Sequence, residues 1–281
     1  MVKREKIVVR FTTKDVVRRL FSFFSPLLCR GCGRKGEILC SCCKNYIVSG
    51  LRPKKIQEDD RGTFKKAEYI GFRDEILGEL VEEYKYGSVA EIGPEIAEIV
   101  YRIYVSRLSP EKEYIFAPMP TSKSHIRERG FDHMDEILTE LARLSRRGGG
   151  NIKKERILER AKNTVQVGAN EETRRRQAKE AVKVCRSFLE GGRLKKQIRE
   201  KTIVVVDDVW TTGASLTEAG KMIKKAGARE VFALAITKNR QGLSPVIYSG
   251  EVETISRQCQ KQNQQSRKKE SQSQDQSKRK G

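Results

Sequence analysis

The chain has 281 residues, of which 58 are basic and 37 acidic, so its formal net charge near neutral pH is +21. This length accommodates one α/β domain with appendages or two small domains. The positive charge favours polyanionic partners such as nucleic acid or phosphorylated substrates; the alternative is that the basic residues only keep the surface solvated. No apolar run is long enough to cross a bilayer, so we expect a cytoplasmic protein without a membrane span.

The first predicted element is a short amphipathic helix, Thr13–Phe24, which leads into two C-x-x-C pairs. Such spacing predicts a small zinc module over 13–50; a disulfide pair or a redox C-x-x-C site are the alternatives. The equal spacing of the pairs favours Cys43 over Cys42 as the fourth ligand, and Cys185 and Cys259 are expected to stand alone. The predicted ligands are Cys29, Cys32, Cys40 and Cys43.

A polar segment at 50–66 precedes alternating strand and helix patterns. The alternation predicts a mostly parallel α/β sheet flanked by helices, in a domain over 66–240. Besides the central run described below, the predicted elements are a strand at Glu68–Phe72, helices at Asp74–Tyr86 and Ile92–Leu108, a strand at Tyr114–Ala117, helices at Met134–Leu144 and Glu171–Val184, and a strand at Val231–Ile236.

From about residue 254 glutamine, serine, lysine and arginine dominate, and apolar residues nearly vanish. Such a composition buries too little apolar surface to fold, so 254–281 is predicted to be a disordered tail. Its eight basic and two acidic residues allow weak contact with nucleic acid, but a solvated extension without a fixed partner is the favoured interpretation.

The most informative run spans Ile203 to Ser215. A strand of β-branched residues ends in Asp207 and Asp208, and a loop of hydroxyl and glycine residues then leads into a helix. N–H groups at a helix start bind phosphate, while carboxylates accept hydrogen bonds from a ribose diol and could help hold magnesium through water. The predicted phosphate contacts are Thr211, Thr212, Gly213, Ala214 and Ser215. The expected ligand is a ribose carrying a 5′-phosphate, unless the run is an ordinary buried strand, acidic turn and helix cap. Trp210 is either a lid or stacking surface or part of the packing.

This run resembles the phosphoribosyl pyrophosphate (PRPP) binding motif of type I phosphoribosyltransferases. The resemblance implies that Asp207 and Asp208 contact the ribose hydroxyls and that Thr211–Ser215 surround the 5′-phosphate. It also implies the reaction, in which pyrophosphate is displaced from C1 of the ribose with the help of magnesium.

Most of the chain, from about Leu20 to Ile236, resembles the ComF family of phosphoribosyltransferase-like proteins, which is linked to DNA uptake during natural transformation. The similar segments are an apolar helix with Pro26 before a four-cysteine knuckle, a lysine-aromatic pair at Lys85 and Tyr86, Ala117–Pro120 followed by Arg127–Phe131, and Thr164, Gln166 and Arg174–Arg176. The resemblance implies a type I phosphoribosyltransferase-like sheet, zinc in the cysteine knuckle, and a place beside a DNA-uptake helicase machinery.

The predicted pyrophosphate contacts are Lys85, Arg127, Arg129 and Gly130, although the arginines could equally belong to a solvated face. Where the family usually has asparagine and glutamine after Arg-Gly-Phe, this chain has Asp132 and His133, and an acid there disfavours pyrophosphate. The expected activity is transfer of a phosphoribosyl group to an unknown nitrogen acceptor. The alternative is a non-catalytic nucleotide-sensing or single-stranded-nucleic-acid-binding protein that retains the fold.

Overall fold

The computed structural model describes residues 27–57, 62–87, 89–160, 182–185, 198–199 and 201–240, together with residues 257, 259 and 261. These residues belong to two compact units, one that includes 27–43 with 257, 259 and 261, and one that includes 44–240. None of the described helices has the length and apolar character of a bilayer-spanning helix. The predicted helix at 13–24, the segment from Thr164 to Arg176 and nearly all of the predicted tail lie outside the described residues.

Strands and helices alternate along most of the described chain, as the sequence predicts. The helices are α1 (Ser41–Gly50), α2 (Ile76–Tyr86), α3 (Ile92–Ile103), α4 (Lys123–Arg129), α5 (His133–Arg147) and α6 (Ala214–Lys225), with a 3₁₀ turn at Val105–Arg107. The strands are β1 (Lys54–Lys55), β2 (Lys66–Phe72), β3 (Tyr114–Pro118), β4 (Ile152–Lys154), β5 (Leu158–Arg160), β6 (Val182–Val184), β7 (Thr202–Trp210) and β8 (Glu230–Lys238).

Six of these strands form one sheet in the order β1-β2-β8-β7-β3-β4. Every neighbouring pair is parallel except β1 and β2, which are antiparallel. Strands β5 and β6 form a separate antiparallel pair. Because β7 lies next to β3, the loops that follow these two strands emerge at the same edge of the sheet.

The centre of the sheet is apolar on both faces, which is why its strands are continuous runs of apolar residues. The segment Ile203–Val206 of β7 is at most 1% exposed, and Val231 and Ala233 of β8 are fully buried. Leu216 and Ile223 of α6 belong to the same core cluster as alternate residues of both strands. The packing of the apolar face of α6 on the sheet therefore holds the loop before α6 next to the central strands.

The prediction of a helix over Glu171–Val184 is wrong at its end, where 182–184 form β6. Val182 and Val184 are buried while Lys183 is exposed, which is the alternation of a strand with one face covered. The short elements α4, β4 and β5 were not predicted, because three to seven residues carry too little periodicity to distinguish them from loops.

Candidate functional site

The loop after β7 brings a carboxylate pair and a helix start to the sheet edge. Asp207 and Asp208 lie in the last part of the strand, and α6 begins four residues after Trp210. Pro118, the last residue of β3, pairs with Val206 of β7, so the loop from β3 to α4 starts beside the carboxylates. The topology thus joins two loops that are about 90 residues apart in the chain.

Gly213 is the pivot of the loop before α6. Its φ of 70° lies in the left-handed region, and a Cβ built there would come within 2.1 Å of the Trp210 ring. Trp210 itself is 1% exposed, so the alternative that it acts as a lid or stacking surface is wrong and its role is packing. Only glycine satisfies both conditions, and the loop conformation is therefore set by these two residues.

The other loop residues occupy different positions around the helix start. Ser215 lines the adjacent cavity, whereas Thr211 and Thr212 are exposed to solvent. The Thr212 hydroxyl accepts a hydrogen bond of 3.4 Å from the backbone N–H of Ala214. Of the five predicted phosphate contacts, Ser215 is the one that lies in the lining of the cavity, in the first turn of a helix whose N-terminal end favours a phosphate.

Asp207 and Asp208 are adjacent in sequence but differ in charge state. Burial and the neighbouring Asp208 carboxylate raise the pKa of Asp207 to about 8, so it is mostly protonated near neutral pH. Burial alone would raise the pKa of Asp208 as well, but a hydrogen bond from His133 and the charge of Lys85 lower it to about 2. The pair therefore carries close to one negative charge rather than two.

Lys85 and His133 meet at one oxygen of Asp208. The Lys85 ammonium lies 2.9 Å from Oδ2 and the His133 Nε2 lies 2.7 Å from the same atom. Both side chains are less than 10% exposed. Such short contacts to a carboxylate away from water are stronger than those of surface ion pairs.

A cavity of about 300 Å³ opens in front of the carboxylate pair. Two predicted pyrophosphate contacts, Lys85 and Arg129, lie in its wall, and so does Arg160 of β5, which the sequence did not single out. Arg160 donates from Nε to the Pro120 carbonyl at 3.0 Å. Three cations against about one carboxylate charge make this cavity suitable for an anion.

Two other predicted pyrophosphate residues lie outside the lining of this cavity. Arg127 is exposed on the same short helix as Arg129. Gly130 has a φ of 84° and ends α4, with its N–H bonded to the Ile126 carbonyl. Its left-handed conformation turns the chain from α4 towards α5, so a conformational role accounts for glycine there.

Asp132 and His133, the two departures from the family pattern, point in different directions. Asp132 caps α5 by accepting from the Asp135 N–H, and it also accepts from the Thr121 hydroxyl at 2.9 Å. Its other oxygen lies 3.8 Å from an Arg156 nitrogen. Asp132 is not in the lining of the cavity, whereas His133 is. The concern that an acid at 132 repels pyrophosphate thus loses its geometric basis.

The four predicted zinc ligands come together in the other unit. One potential ligand atom from each of the four lies within 4.8 Å of all the others, and Cys43 rather than Cys42 is the fourth member. The pKa of Cys29 is lowered to about 4, chiefly by a hydrogen bond from the Cys43 thiol. The cysteine cluster consists of Cys29, Cys32, Cys40 and Cys43. Four soft sulfur ligands at this separation fit a tetrahedral zinc ion.

Cys259 does not stand alone, which corrects the prediction made from spacing. It forms a disulfide with Cys42, across 217 residues of sequence. Its sulfur also lies 3.6 Å from Cys43, and its carbonyl accepts a hydrogen bond from Arg34. Local spacing cannot reveal a partner at this separation. Cys185, by contrast, is a free thiol that donates to the Arg156 carbonyl.

Two sequence comparisons relate this chain to known proteins. Residues 132–270 match the family model described as a phosphoribosyl transferase domain. The chain is 26% identical over 173 residues to competence protein F of Haemophilus influenzae, and the match covers 60% of this chain and 71% of that protein.

The solved structures that this chain matches include the glutamine PRPP amidotransferase of B. subtilis in complex with ADP and GMP. The identity is 14%, the TM-score is 0.29, and the match covers 51% of this chain and 24% of the other, so the chain spans about a quarter of that enzyme's length. A hypoxanthine phosphoribosyltransferase of Staphylococcus aureus has 8% identity and a TM-score of 0.26, over 60% of this chain and 70% of the other.

Proposed function

We propose that this chain, a phosphoribosyltransferase-like protein related to competence protein F, binds PRPP or a ribose 5-phosphate nucleotide and transfers the phosphoribosyl group to a nitrogen acceptor. The observation that carries the proposal is one cavity in which Asp207 and Asp208 face Lys85, Arg129 and Arg160. PRPP combines a diol, a 5′-phosphate and a pyrophosphate, and each of these groups finds a chemically matched partner here.

In this proposal the acidic pair holds the ribose. The charged Asp208 accepts a hydrogen bond from a ribose hydroxyl, and the largely protonated Asp207 both donates and accepts. The first turn of α6, from Ala214 to Ser215, receives the 5′-phosphate at its N–H groups. The sugar is thereby fixed at both ends with C1 directed into the cavity.

The basic residues of the cavity stabilise the pyrophosphate leaving group. As the acceptor nitrogen attacks C1, the bond from C1 to the pyrophosphate oxygen breaks and the oxygen keeps the electron pair. Lys85 and Arg129 stabilise the negative charge that develops there, since charged donors in a cavity sheltered from water act more strongly than in bulk solvent. The acceptor then loses its N–H proton to solvent.

The residues at the site are compatible with magnesium arriving with PRPP. Asp207 and Asp208 supply the oxygen chemistry that this ion prefers, and their place is its water shell, because Lys85 and His133 already hold Asp208. When bound, the ion supplies further neutralisation of the pyrophosphate charge.

We propose structural zinc for the cluster of Cys29, Cys32, Cys40 and Cys43. Its role would be to hold the knuckle together, because four thiolates in a tetrahedral cage leave no open position for chemistry. We propose a cytoplasmic location because thiolate ligands of this kind persist where thiols stay reduced, and the disulfide between Cys42 and Cys259 in the same unit is an exception to that rule. Loss of metal should therefore unfold this unit without removing the ribose site in the sheet.

A second candidate, single-stranded nucleic acid binding in a DNA-uptake role, has its own observation. Phe72 at the end of β2 has two cations near its ring, with the Lys54 ammonium 4.8 Å and the Arg240 guanidinium 4.0 Å from the centroid, and Arg240 is also paired with Asp74 and Glu75. Aromatic rings beside cations are the usual surface for unpaired bases. The surplus of basic residues and the relation to competence protein F support this candidate, with a helicase as the expected partner.

One experiment separates the two candidates. Purified protein is titrated with PRPP and magnesium by calorimetry and then assayed for pyrophosphate release with a panel of nitrogenous bases. We expect binding that an Asp207→Asn, Asp208→Asn double variant loses while its zinc content stays the same. Salt-sensitive binding of single-stranded DNA without PRPP binding or pyrophosphate release would favour the second candidate. Unchanged PRPP affinity in the double variant would contradict the proposed ribose contacts.

A further inference from the structure

His133 lies between two oppositely charged groups of the cavity and contacts both. Its Nδ1 is 3.0 Å from an Arg129 guanidinium nitrogen, and its Nε2 is 2.7 Å from Asp208 Oδ2. Because the side chain is buried, water competes poorly for these contacts. The residue comes from the first turn of α5, whereas Asp208 is in β7, so the contact ties a helix to the sheet.

The chemistry of these contacts fixes the direction of each hydrogen bond. A guanidinium has five N–H donors and no acceptor, so Arg129 donates and the Nδ1 of His133 accepts. A ring nitrogen that accepts carries no proton. The ring proton is therefore on Nε2, and it is donated to Asp208. The neutral imidazole has one donor and one acceptor, and both are used.

The contacts continue on both sides of the imidazole. The Lys85 ammonium shares the Asp208 oxygen with His133, at 2.9 Å. On the other side, the Arg129 guanidinium lies 5.4 Å from the ring centroid of Tyr86, which is 69% exposed at the rim. Side chains from four elements thus form one continuous series of contacts around the cavity, from its exposed rim to the Asp208 carboxylate.

We propose that His133 is a positioning residue, which fixes Arg129 and Asp208 relative to each other so that one PRPP molecule meets both. This rests on the proposed function, in which Arg129 receives the pyrophosphate and Asp208 the ribose diol. The two groups bind opposite ends of the C1 linkage, and their separation must match the ligand. His133 is the residue whose two ring nitrogens span that separation.

The size of the effect follows from side-chain entropy. Arg129 lies on a helix of seven residues, and an arginine held by nothing loses up to about 2 kcal/mol of rotamer entropy when a ligand immobilises it. The contact with His133 immobilises it in advance. Removal of His133 should therefore weaken PRPP binding about 10-fold to 30-fold, mainly through Arg129.

A measurement on the ligand-free protein tests the hydrogen bonds themselves. The chain has two histidines, so ¹⁵N labelling of histidine gives two imidazoles, and a His125→Asn variant assigns them. We expect the neutral His133 ring to carry its proton on Nε2 alone. A proton on Nδ1, or exchange between the two tautomers, would overturn the proposal. Since no PRPP is present, this outcome is independent of whether the proposed function is correct.

Three substitutions then separate positioning from packing, in calorimetric titrations with PRPP and magnesium. Glutamine offers a donor and an acceptor, so His133→Gln should stay within about 3-fold of the wild-type affinity. His133→Leu keeps the volume but has neither group, and it should lose the same 10-fold to 30-fold as His133→Ala. A leucine variant that binds like the wild type, or a glutamine variant that binds like alanine, would overturn the proposal. Thermal denaturation of each variant confirms that it is folded.

A double-mutant cycle tests the coupling to Arg129. If His133 acts by holding Arg129, the loss caused by Arg129→Ala should be at least 5-fold smaller in the His133→Ala background. Arg127 provides the matched cycle, because it is an arginine on the same helix outside the lining of the cavity. Its effect should be the same in both backgrounds. Independent effects of His133 and Arg129 would overturn the proposal.

Discussion

The acidic and basic sides of the cavity are built in different ways. The acidic side comes from one continuous run, in which β7 delivers Asp207 and Asp208 and α6 begins a few residues later. The basic side collects Lys85 from α2, Arg129 from α4 and Arg160 from β5. The first depends on local chain geometry and the second on the packing of three separate elements.

This difference explains why the adjacent Asp207 and Asp208 differ in their ionisation state. Asp208 is charged because Lys85 and His133 contact it directly, whereas Asp207 is buried beside the charged Asp208 and keeps its proton. The local run determines where the carboxyl groups lie. The distant elements determine which of them is ionised, and therefore which interactions each can make with a ligand.

The largest expected effect separates the two carboxylates. Asp208→Asn should weaken PRPP binding at least 100-fold, about 2.7 kcal/mol, because the charged acceptor is lost and Lys85 and His133 lose their partner. Asp207→Asn should cost about 10-fold or less, since an amide resembles a protonated carboxyl. Calorimetry at pH 7 with magnesium gives both affinities. Equal losses in the two variants would contradict the unequal charge states.

The second prediction concerns the rigidity of the local run. Gly213→Ala should lower the free energy of unfolding by about 3 kcal/mol, because the left-handed φ is strained and the new Cβ meets the Trp210 ring. Gly149→Ala is the matched control, with a φ of 76° and no atom within 4 Å of its Cβ. It should cost about 1 kcal/mol. Urea denaturation measures both, and equal costs would show that the Trp210 contact is not tight.

The third prediction concerns the basic side. Arg129→Ala should weaken PRPP binding about 30-fold to 50-fold, because a charge-assisted contact to pyrophosphate is lost. Arg127→Ala removes the same charge from the same helix and should change the affinity less than 3-fold. A comparable loss in both variants would mean that net charge, rather than the position of Arg129, attracts the ligand.

The last prediction is a pH dependence of stability. Between the ordinary pKa of 3.8 and the folded value of about 8, Asp207 keeps its proton in the folded state while the unfolded chain has lost it. Stability due to this group therefore falls as pH rises through that window. Asp207→Asn cannot ionise, so its stability relative to the wild type should rise from pH 4 to pH 8 and then level off, by about 1.4 kcal/mol for each unit of the pKa shift.

Asp135→Asn provides the control with the opposite sign. Burial opposes ionisation of Asp135, but hydrogen bonds from Arg156 and Lys154 lower its pKa overall. Its contribution is present above pH 4 and is lost as pH falls through the lower folded value. This variant should be less stable than the wild type at pH 7 and should approach it in acid. Parallel pH profiles for the two variants would contradict the opposite pKa shifts.

The strongly periodic elements of the fold could be predicted from the sequence. The strand ending in Asp207, the helix with Ile223 on its buried face and the helix that became α5 all have long apolar patterns. The shorter elements α4, β5 and β6 could not be predicted. In particular, β5 pairs with β6 across more than 20 residues, and no local pattern carries that information.

The candidate site, like the fold, could be predicted only where it depends on a local sequence pattern. The cysteine cluster follows from spacing, and the structure selects Cys43 as that spacing did. Arg160 and the disulfide between Cys42 and Cys259 went unnoticed, because each depends on a contact between distant segments. The roles of Asp132 and His133 also needed the fold, since the turn into α5 sends one side chain away from the cavity and the other into it.

The most direct test is a crystal structure of the protein grown with PRPP and magnesium. We predict ribose hydroxyls within hydrogen-bonding distance of Asp207 and Asp208, the 5′-phosphate against Thr211–Ser215, and the pyrophosphate beside Lys85 and Arg129. A ligand bound elsewhere, or a cavity that stays closed to PRPP at saturating concentration, would contradict the proposal that this sheet edge is a phosphoribosyl site.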